Sequence, residues 1–464
     1  MPHSRRSFLR TAAATAAGLV LPAAAFAGTP VDLVARTGTA DLGLPDGKQT
    51  PIWGYGGRAP GPVLRVRQGE RIARRFVNEL PQASTIHWHG IRIANAMDGV
   101  PELTQDAVPA GGDFLYDFVA PDAGTYWYHP HNRTWEQLAR GLYGALIVEE
   151  PDPPDVDRDE VLLIDDWRIA DDGTIHEPSL GAMHDWAHAG RLGNWVTVNG
   201  DGDYALDVRR RERLRLRLVN TANARIFDLG FKGLAGWVVA LDGQPLEAPL
   251  ELADIALGPA QRADVIADVT ADGPDHEGEA FLYAMAGDER LAIATFRVGD
   301  AIRAERLPAP PPLRPNPVPP LGSLAGVEPV TMRMEGGAMG GMTEALYKGR
   351  RMAIQDLVGE GKVWAFNGIV DLPDEPLFAA RPGETVRIRM INDTSWPHAM
   401  HTHGHHFRRV GAAGELGPWR DTLVVERGET ADIAFVADNP GKWLFHCHMV
   451  EHTAAGMATW FVVG

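Results

Sequence analysis

Ten of the 17 histidines fall in four short clusters: His87-Trp88-His89, His129-Pro130-His131, His398-Ala399-Met400-His401-Thr402-His403, and His446-Cys447-His448 followed by His452. Surface histidines do not gather in this way, whereas neutral imidazoles at this density are what a transition-metal site requires. In an extended strand alternate side chains share a face about 6–7 Å apart, so each His-x-His pair can offer two imidazoles to the same or adjacent ions. Cys447, between His446 and His448, must then point the opposite way.

That parity predicts two metal sites back to back in one domain. Cys447 faces the interior of its own domain, and its neighbours face another. His398 lies an odd number of residues from His401 and His403, so it can turn to the face of Cys447. His398, Cys447 and His452, with Met457 five residues on as a weak axial ligand, make the donor set of a blue-copper centre. Zinc in a closed Cys/His set would leave the other clustered histidines idle. The remaining eight form four His-x-His pairs, two near each end of the chain, which suits three copper ions at an interface between the two end regions.

The elements that must position these residues show in the chain's likeness to itself. Leu64–Asn78, Leu206–Asn220 and Phe378–Asn392 share a pattern of two alternating strands around a turn. Asp117–His129 resembles Ala434–His446, with a weaker counterpart at Asp264–Ala284. The chain therefore reads as three copies of one β-domain, at about 31–150, 155–305 and 345–464. Pro-rich stretches stand at 150–157 and 308–320, and residues 306–344 read as a Pro- and Met-rich linker. The middle copy has no histidine in its matching stretch Ala222–Phe231 and serves as spacer. With 51 glycines, 35 prolines and 45% hydrophobic residues, the expected class is all-β, built of Greek-key β-sandwiches.

Residues 4–10 read S-R-R-S-F-L-R, followed by an apolar run and Ala25-Phe26-Ala27. This looks like a twin-arginine export signal spanning 1–27, which implies the periplasm and the twin-arginine machinery as a partner. Cys447 is the only cysteine, so no intramolecular disulfide forms. A net charge of −17 argues against nucleic acid or an anionic membrane as partner. A monomer is expected.

The four clusters resemble the four copper motifs of the multicopper oxidases, the family of laccases, bilirubin oxidases and bacterial cuprous oxidases, and H-C-H-x3-H-x4-M from His446 to Met457 is their signature. The resemblance covers all three domains and implies cupredoxin-like sandwiches and four coppers per chain. It implies type 1 copper at His398, Cys447, His452 and Met457, type 2 at His87 and His401, and the type 3 pair at His89, His129, His131, His403, His446 and His448. The reaction would be one-electron oxidation of a reductant, entering through an exposed edge of His452 and crossing Cys447, coupled to reduction of dioxygen to water. Asp98, in A-M-D-G-V-P, matches a family acid near the cluster that serves as a proton relay; it also reads as a turn aspartate before glycine. Glu451, beside His452, is a weaker candidate for the same role and reads rather as a surface residue.

The reductant is not fixed by these motifs. Met332, Met334, Met339, Met342 and Met352 gather just ahead of the third domain. Thioethers suit Cu(I), and cuprous oxidases of this family carry a Met-rich insertion that collects it; a loose Gly/Met linker reads equally well. Cu(I) and phenols are the candidate reductants. The alternative is an exported copper-tolerance protein that binds the metal without turnover, against which the His-Cys-His wiring counts. A copper-free relative of the fold is contradicted by the complete ligand set.

Overall fold

The three recurring segments fold alike, for a local reason. The computed structural model describes residues 29–464 other than 272–277 and 288, so the export signal lies outside the described residues. Each segment is a pair of strands around a tight corner: Leu64–Arg67 with Arg71–Asn78, Ala205–Arg209 with Arg213–Asn220, and Ala379–Ala380 with Glu384–Asn392. At every corner a glutamate carboxylate accepts the backbone N–H three residues before it. Glu70 takes that of Arg67 at 2.9 Å, Glu212 that of Arg209 at 2.6 Å and Glu384 that of Arg381 at 3.0 Å. This satisfies a donor at the break in the ladder. The two strands of each pair join different sheets, so the corner carries the chain across a sandwich.

Each copy is two facing sheets. The first has four strands in each; the second and third have six in one and five in the other. In every copy the opening strand pairs parallel with the strand after the corner: Val31–Asp41 with Arg71–Asn78, Arg158–Trp167 with Arg213–Asn220, and Val330–Gly336 with Glu384–Asn392. Parallel neighbours cannot be closed by a hairpin, so the chain crosses to the opposite sheet between them, in Greek-key fashion.

The third sandwich thus begins earlier than expected. Val330–Gly336 lies inside its six-stranded sheet, not in a linker. The cause is period-2 alternation: Met332 and Met334 point inward and are fully buried with Ile388, Met390 and Phe435. These two methionines are core residues and are removed from any exposed Cu(I) site.

The asparagine ending each repeat pins the loop that follows. Asn78, Asn220 and Asn392 are buried, and their side-chain amides donate to Val108, Leu257 and Val425 carbonyls at 2.8–3.1 Å. Their side-chain oxygens accept from Leu80, Ala222 and Thr394 N–H. In the first and third copies the pinned loop delivers the chain into His87–His89 and His398–Thr402. A buried ionic ladder binds the spacer to the first copy: Arg215 pairs with Glu150 and Asp264, and Arg217 with Asp159 and the Thr125 hydroxyl.

Candidate metal centre

In the third sandwich, strand His398–Thr402 pairs with Gly441–Cys447 so that Met400 stands opposite Cys447 and His401 opposite His446. Residues directly opposite share a face, so Cys447 enters the core while His401 and His446 leave it. His398, two before Met400, turns to the face of Cys447, and His452 arrives on the short helix Val450–Ala454. The Cys447 sulfur lies 3.7 Å from His398 Nδ1 and 3.6 Å from His452 Nδ1, which are 3.1 Å apart. The outer nitrogens are spoken for: His398 Nε2–H donates to the Thr394 hydroxyl at 2.8 Å and His452 Nε2–H to the His188 carbonyl at 2.7 Å. Both Nδ1 lone pairs are thereby aimed at the sulfur. Met457 is buried in the same core, and its carbonyl accepts the Cys447 N–H at 3.1 Å.

The other eight histidines meet where the first and third sandwiches touch. His87 stacks on His403 at 3.9 Å between ring centroids and His89 on His401 at 3.8 Å. His129 Nε2 faces His448 Nε2 at 3.3 Å, and His403 Nε2 faces His446 Nε2 at 3.2 Å. Backbone carbonyls fix the tautomers. His87 Nδ1–H donates to Asp98, His129 to Pro130, His401 to Asp421 and His446 to Cys447, all at 2.8–2.9 Å. The inner nitrogens His87 Nε2, His89 Nδ1, His131 Nε2 and His401 Nε2 are buried with no hydrogen-bond partner among the described residues.

Buried polar atoms without partners are costly, and a cluster of them converging at one place marks a ligand site. Burial and mutual repulsion hold His89, His129, His131, His403, His446 and His448 well below the usual imidazole range, and burial pushes His452 down to about 4. These rings are neutral donors. Burial pushes the Cys447 thiol up to about 12, so an incoming cation must displace its proton. The donor chemistry, neutral imidazoles in one cluster and two imidazoles with a thiolate in the other, fits copper.

Asp98 is buried between the sandwiches. Its carbonyl takes His87 from the first, and its carboxylate takes His403 Nδ1–H from the third at 3.0 and 3.1 Å. Asp421 does similar work and was missed by sequence reasoning. Its Oδ1 accepts His89 Nε2–H at 3.3 Å, and its carboxylate is clamped by Arg262 at 2.9 and 2.6 Å. Arg262 Nε–H also donates to the Thr125 carbonyl at 3.1 Å, so one side chain of the middle sandwich ties the other two together. Gly90, at φ +84°, makes room for this contact: a Cβ there would lie 2.2 Å from Arg262 Nη2 and 2.4 Å from Asp421 Oδ2. No motif marks Asp421 or Arg262, because their partners are distant in sequence.

Two expectations are corrected. His452 has no exposed edge: it is fully buried, because the second sandwich's segment around helix Met183–Ala187 covers it and the His188 carbonyl caps Nε2. Glu451 is not on the surface; it is 1% exposed, accepts Asn223 Nδ2–H at 2.6 Å, and burial pushes its carboxyl up to about 7. Both groups are sealed by residues of the second sandwich, which local sequence cannot reveal.

Comparison with known proteins agrees with this geometry. Three models described as multicopper oxidase match residues 38–153, 158–292 and 347–464, and a twin-arginine translocation signal model matches residues 2–22. The chain is exported across the membrane by that route. It is 31% identical over 434 residues to multicopper oxidase MmcO of Mycobacterium tuberculosis, spanning 87% of this chain and 82% of that protein. To copper resistance protein A of Pseudomonas syringae pv. tomato it is 26% identical, spanning 98% of each. Among solved structures, a multi-copper oxidase from Pseudomonas thermotolerans superposes with a TM-score of 0.80 at 32% identity, over 94% of this chain and 99% of that one. A protein from a marine microbial metagenome gives 0.75 at 44% identity, over 94% and 100%. The chain belongs to the multicopper oxidase family, copper enzymes that couple one-electron oxidation of a reducing substrate to reduction of dioxygen to water.

Proposed function

We propose that His398, Cys447 and His452, with Met457 as a weak axial partner, hold a type 1 copper that receives single electrons. The eight interface histidines hold the three-copper cluster: His87 and His401 one ion, and His89, His129, His131, His403, His446 and His448 the other two. Cys447 carries this reading. Its sulfur belongs to one group of donors, and the two residues bonded to it, His446 and His448, belong to the other. A few covalent bonds therefore join the two groups.

Bound there, copper supplies the one-electron steps and the oxygen chemistry. The chain supplies the rest. Carbonyls and carboxylates set the tautomers of His87, His89, His129, His401, His403, His446 and His452 before metal arrives, which lowers the cost of ordering the ligands. Burial excludes water from the sulfur. The Asp98 carboxylate, 3.2 Å from His87 Nδ1 and 3.0 Å from His403 Nδ1, is the group from which protons pass to the cluster.

In the periplasm the reductants are Cu(I) and phenols; relatives named copper resistance protein A and laccase support both. Oxygen uptake by the copper-loaded protein, measured with Cu(I), a phenol, Fe(II) and bilirubin, tests this. Cys447→Ser should lose the blue colour, uptake, and about one of the four coppers. Full uptake by that variant, or bound copper without uptake in the native protein, would overturn the proposal.

A further inference from the structure

The segment that buries His452 also presents donors to solvent. His184 and His188, one turn apart on and just after helix Met183–Ala187, stack with ring centroids 4.2 Å apart and planes 11° from parallel. His188 Nδ1–H donates to the His184 carbonyl at 2.8 Å, which leaves its Nε2 as a free lone pair. The His184 side chain is 79% exposed. The nearest carboxylate, Asp185, stands 3.7 Å from His184 Nδ1 but is engaged by both terminal nitrogens of Arg168 at 2.6 and 3.2 Å. The donors left at this surface are therefore imidazole nitrogens, with the neighbouring carboxylate already paired.

A thioether-bearing segment, distant in the chain, is hydrogen-bonded to this one. The Ala338 N–H donates to the Ala187 carbonyl at 2.7 Å, and the Ala338 carbonyl accepts Trp396 Nε1–H at 3.1 Å. Trp396 in turn packs edge-on against the His188 ring at 5.3 Å. The next residue, Met339, is 75% exposed and held at φ +63°. A methionine that exposed, in a left-handed backbone conformation on a segment hydrogen-bonded to the residue before His188, serves no packing purpose.

We propose that His184 and His188, with Met339 beside them, form a docking site for substrate Cu(I), and that the electron it gives passes through the His188 backbone to His452. This rests on His452 being a type 1 ligand. Imidazole and thioether donors without a free carboxylate suit a soft monovalent ion better than Fe(II) or a harder cation. The route is short: His188 imidazole, its own carbonyl, one hydrogen bond of 2.7 Å, and His452. Trp364 holds the bridge, donating Nε1–H to the Trp186 carbonyl at 2.7 Å while packing on the His452 ring at 4.6 Å. Each Cu(I) loses one electron and departs as Cu(II). Four such electrons, with four protons, convert one dioxygen to two waters.

Silver(I), a redox-silent ion of the same charge and softness, probes the site in the copper-loaded protein. The native protein should bind one equivalent by calorimetry, with nitrogen neighbours in silver X-ray absorption. His184→Ala/His188→Ala should lose that equivalent, raise KM for Cu(I) about tenfold or more, and lower the ratio of kcat/KM for Cu(I) over that for a phenol by a similar factor. Its blue absorption should persist, because the His188 carbonyl remains. His184→Ala alone, altering a side chain out in solvent, separates lost docking from misfolding and should weaken silver binding by itself. Unchanged silver binding and Cu(I) KM in the double variant would overturn the docking site. Absence of blue colour in the native protein would overturn the type 1 assignment instead.

Discussion

Asp421→Asn preserves the shape of a buried side chain and removes its charge. In the native protein Oδ2 receives Arg262 Nη2–H at 2.6 Å, while Oδ1 receives Arg262 Nη1–H at 2.9 Å, the Thr422 hydroxyl at 2.8 Å and His89 Nε2–H at 3.3 Å. An amide keeps one acceptor. With the oxygen at the crowded position, the new NH2 faces Arg262 Nη2–H, donor against donor; the opposite flip sets it against His89 and Thr422. Either way the bond fixing the His89 tautomer loses its charge assistance, which roughly halves its strength. Loss of such a supporting contact costs about 10- to 100-fold in metal affinity or activity, or about 1.4–2.7 kcal/mol. Arg262→Met is the complementary test, leaving a buried carboxylate without its cation at a cost of about 3–5 kcal/mol in stability. The double variant removes both charges and should be more stable than Arg262→Met alone, since the coupling of a contacting pair is about 0.5–3 kcal/mol. Copper content against a competing chelator reads the first effect, and denaturant unfolding of copper-free protein reads the second. Native copper affinity and oxygen uptake in Asp421→Asn, or a loss below about 1 kcal/mol in Arg262→Met, would refute the reasoning.

Glu451 gives a pH test with a definite sign. Its carboxyl is moved from an ordinary 4.5 to about 7 by burial, opposed by Asn223, so between these values the unfolded chain ionises while the folded one keeps its proton. Native stability therefore falls as pH rises through that window, by about 3 kcal/mol as an order of magnitude. Glu451→Gln escapes this penalty, so its stability advantage should be larger at pH 8 than at pH 4.5; a difference independent of pH would show that the carboxylate is already ionised when folded. Gly90→Ala should lower copper content and thermal stability together, because a Cβ 2.2 Å from Arg262 Nη2 must push apart the contact joining the three sandwiches. Met334→Ser should cost about 2–5 kcal/mol in copper-free unfolding by opening a cavity in the third core. Wild-type stability in that variant would return Met334 to the surface.

The sequence alone determined the two sets of donors. Strand parity is a local property with a period of two residues, so placing His446 and His448 on one face and Cys447 on the other needed no knowledge of the rest of the molecule. The threefold repeat was legible for the same reason, since its corner glutamates and the side-chain oxygens of its closing asparagines act within a few residues of their own positions. Local alternation also ran through Val330, Met332 and Met334, but a cluster of methionines reads equally as a soft-metal segment or as one face of a buried strand. Only the pairing of that strand with Glu384–Asn392 decided between them. Tertiary structure alone placed Asp421 and Arg262 beside His89, sealed Glu451 behind Asn223, and laid the segment around His188 over His452. Each of these contacts joins residues more than 150 positions apart and carries no periodic signature. The docked sandwiches set what covers His452, and so the path an electron would take under the function proposed above.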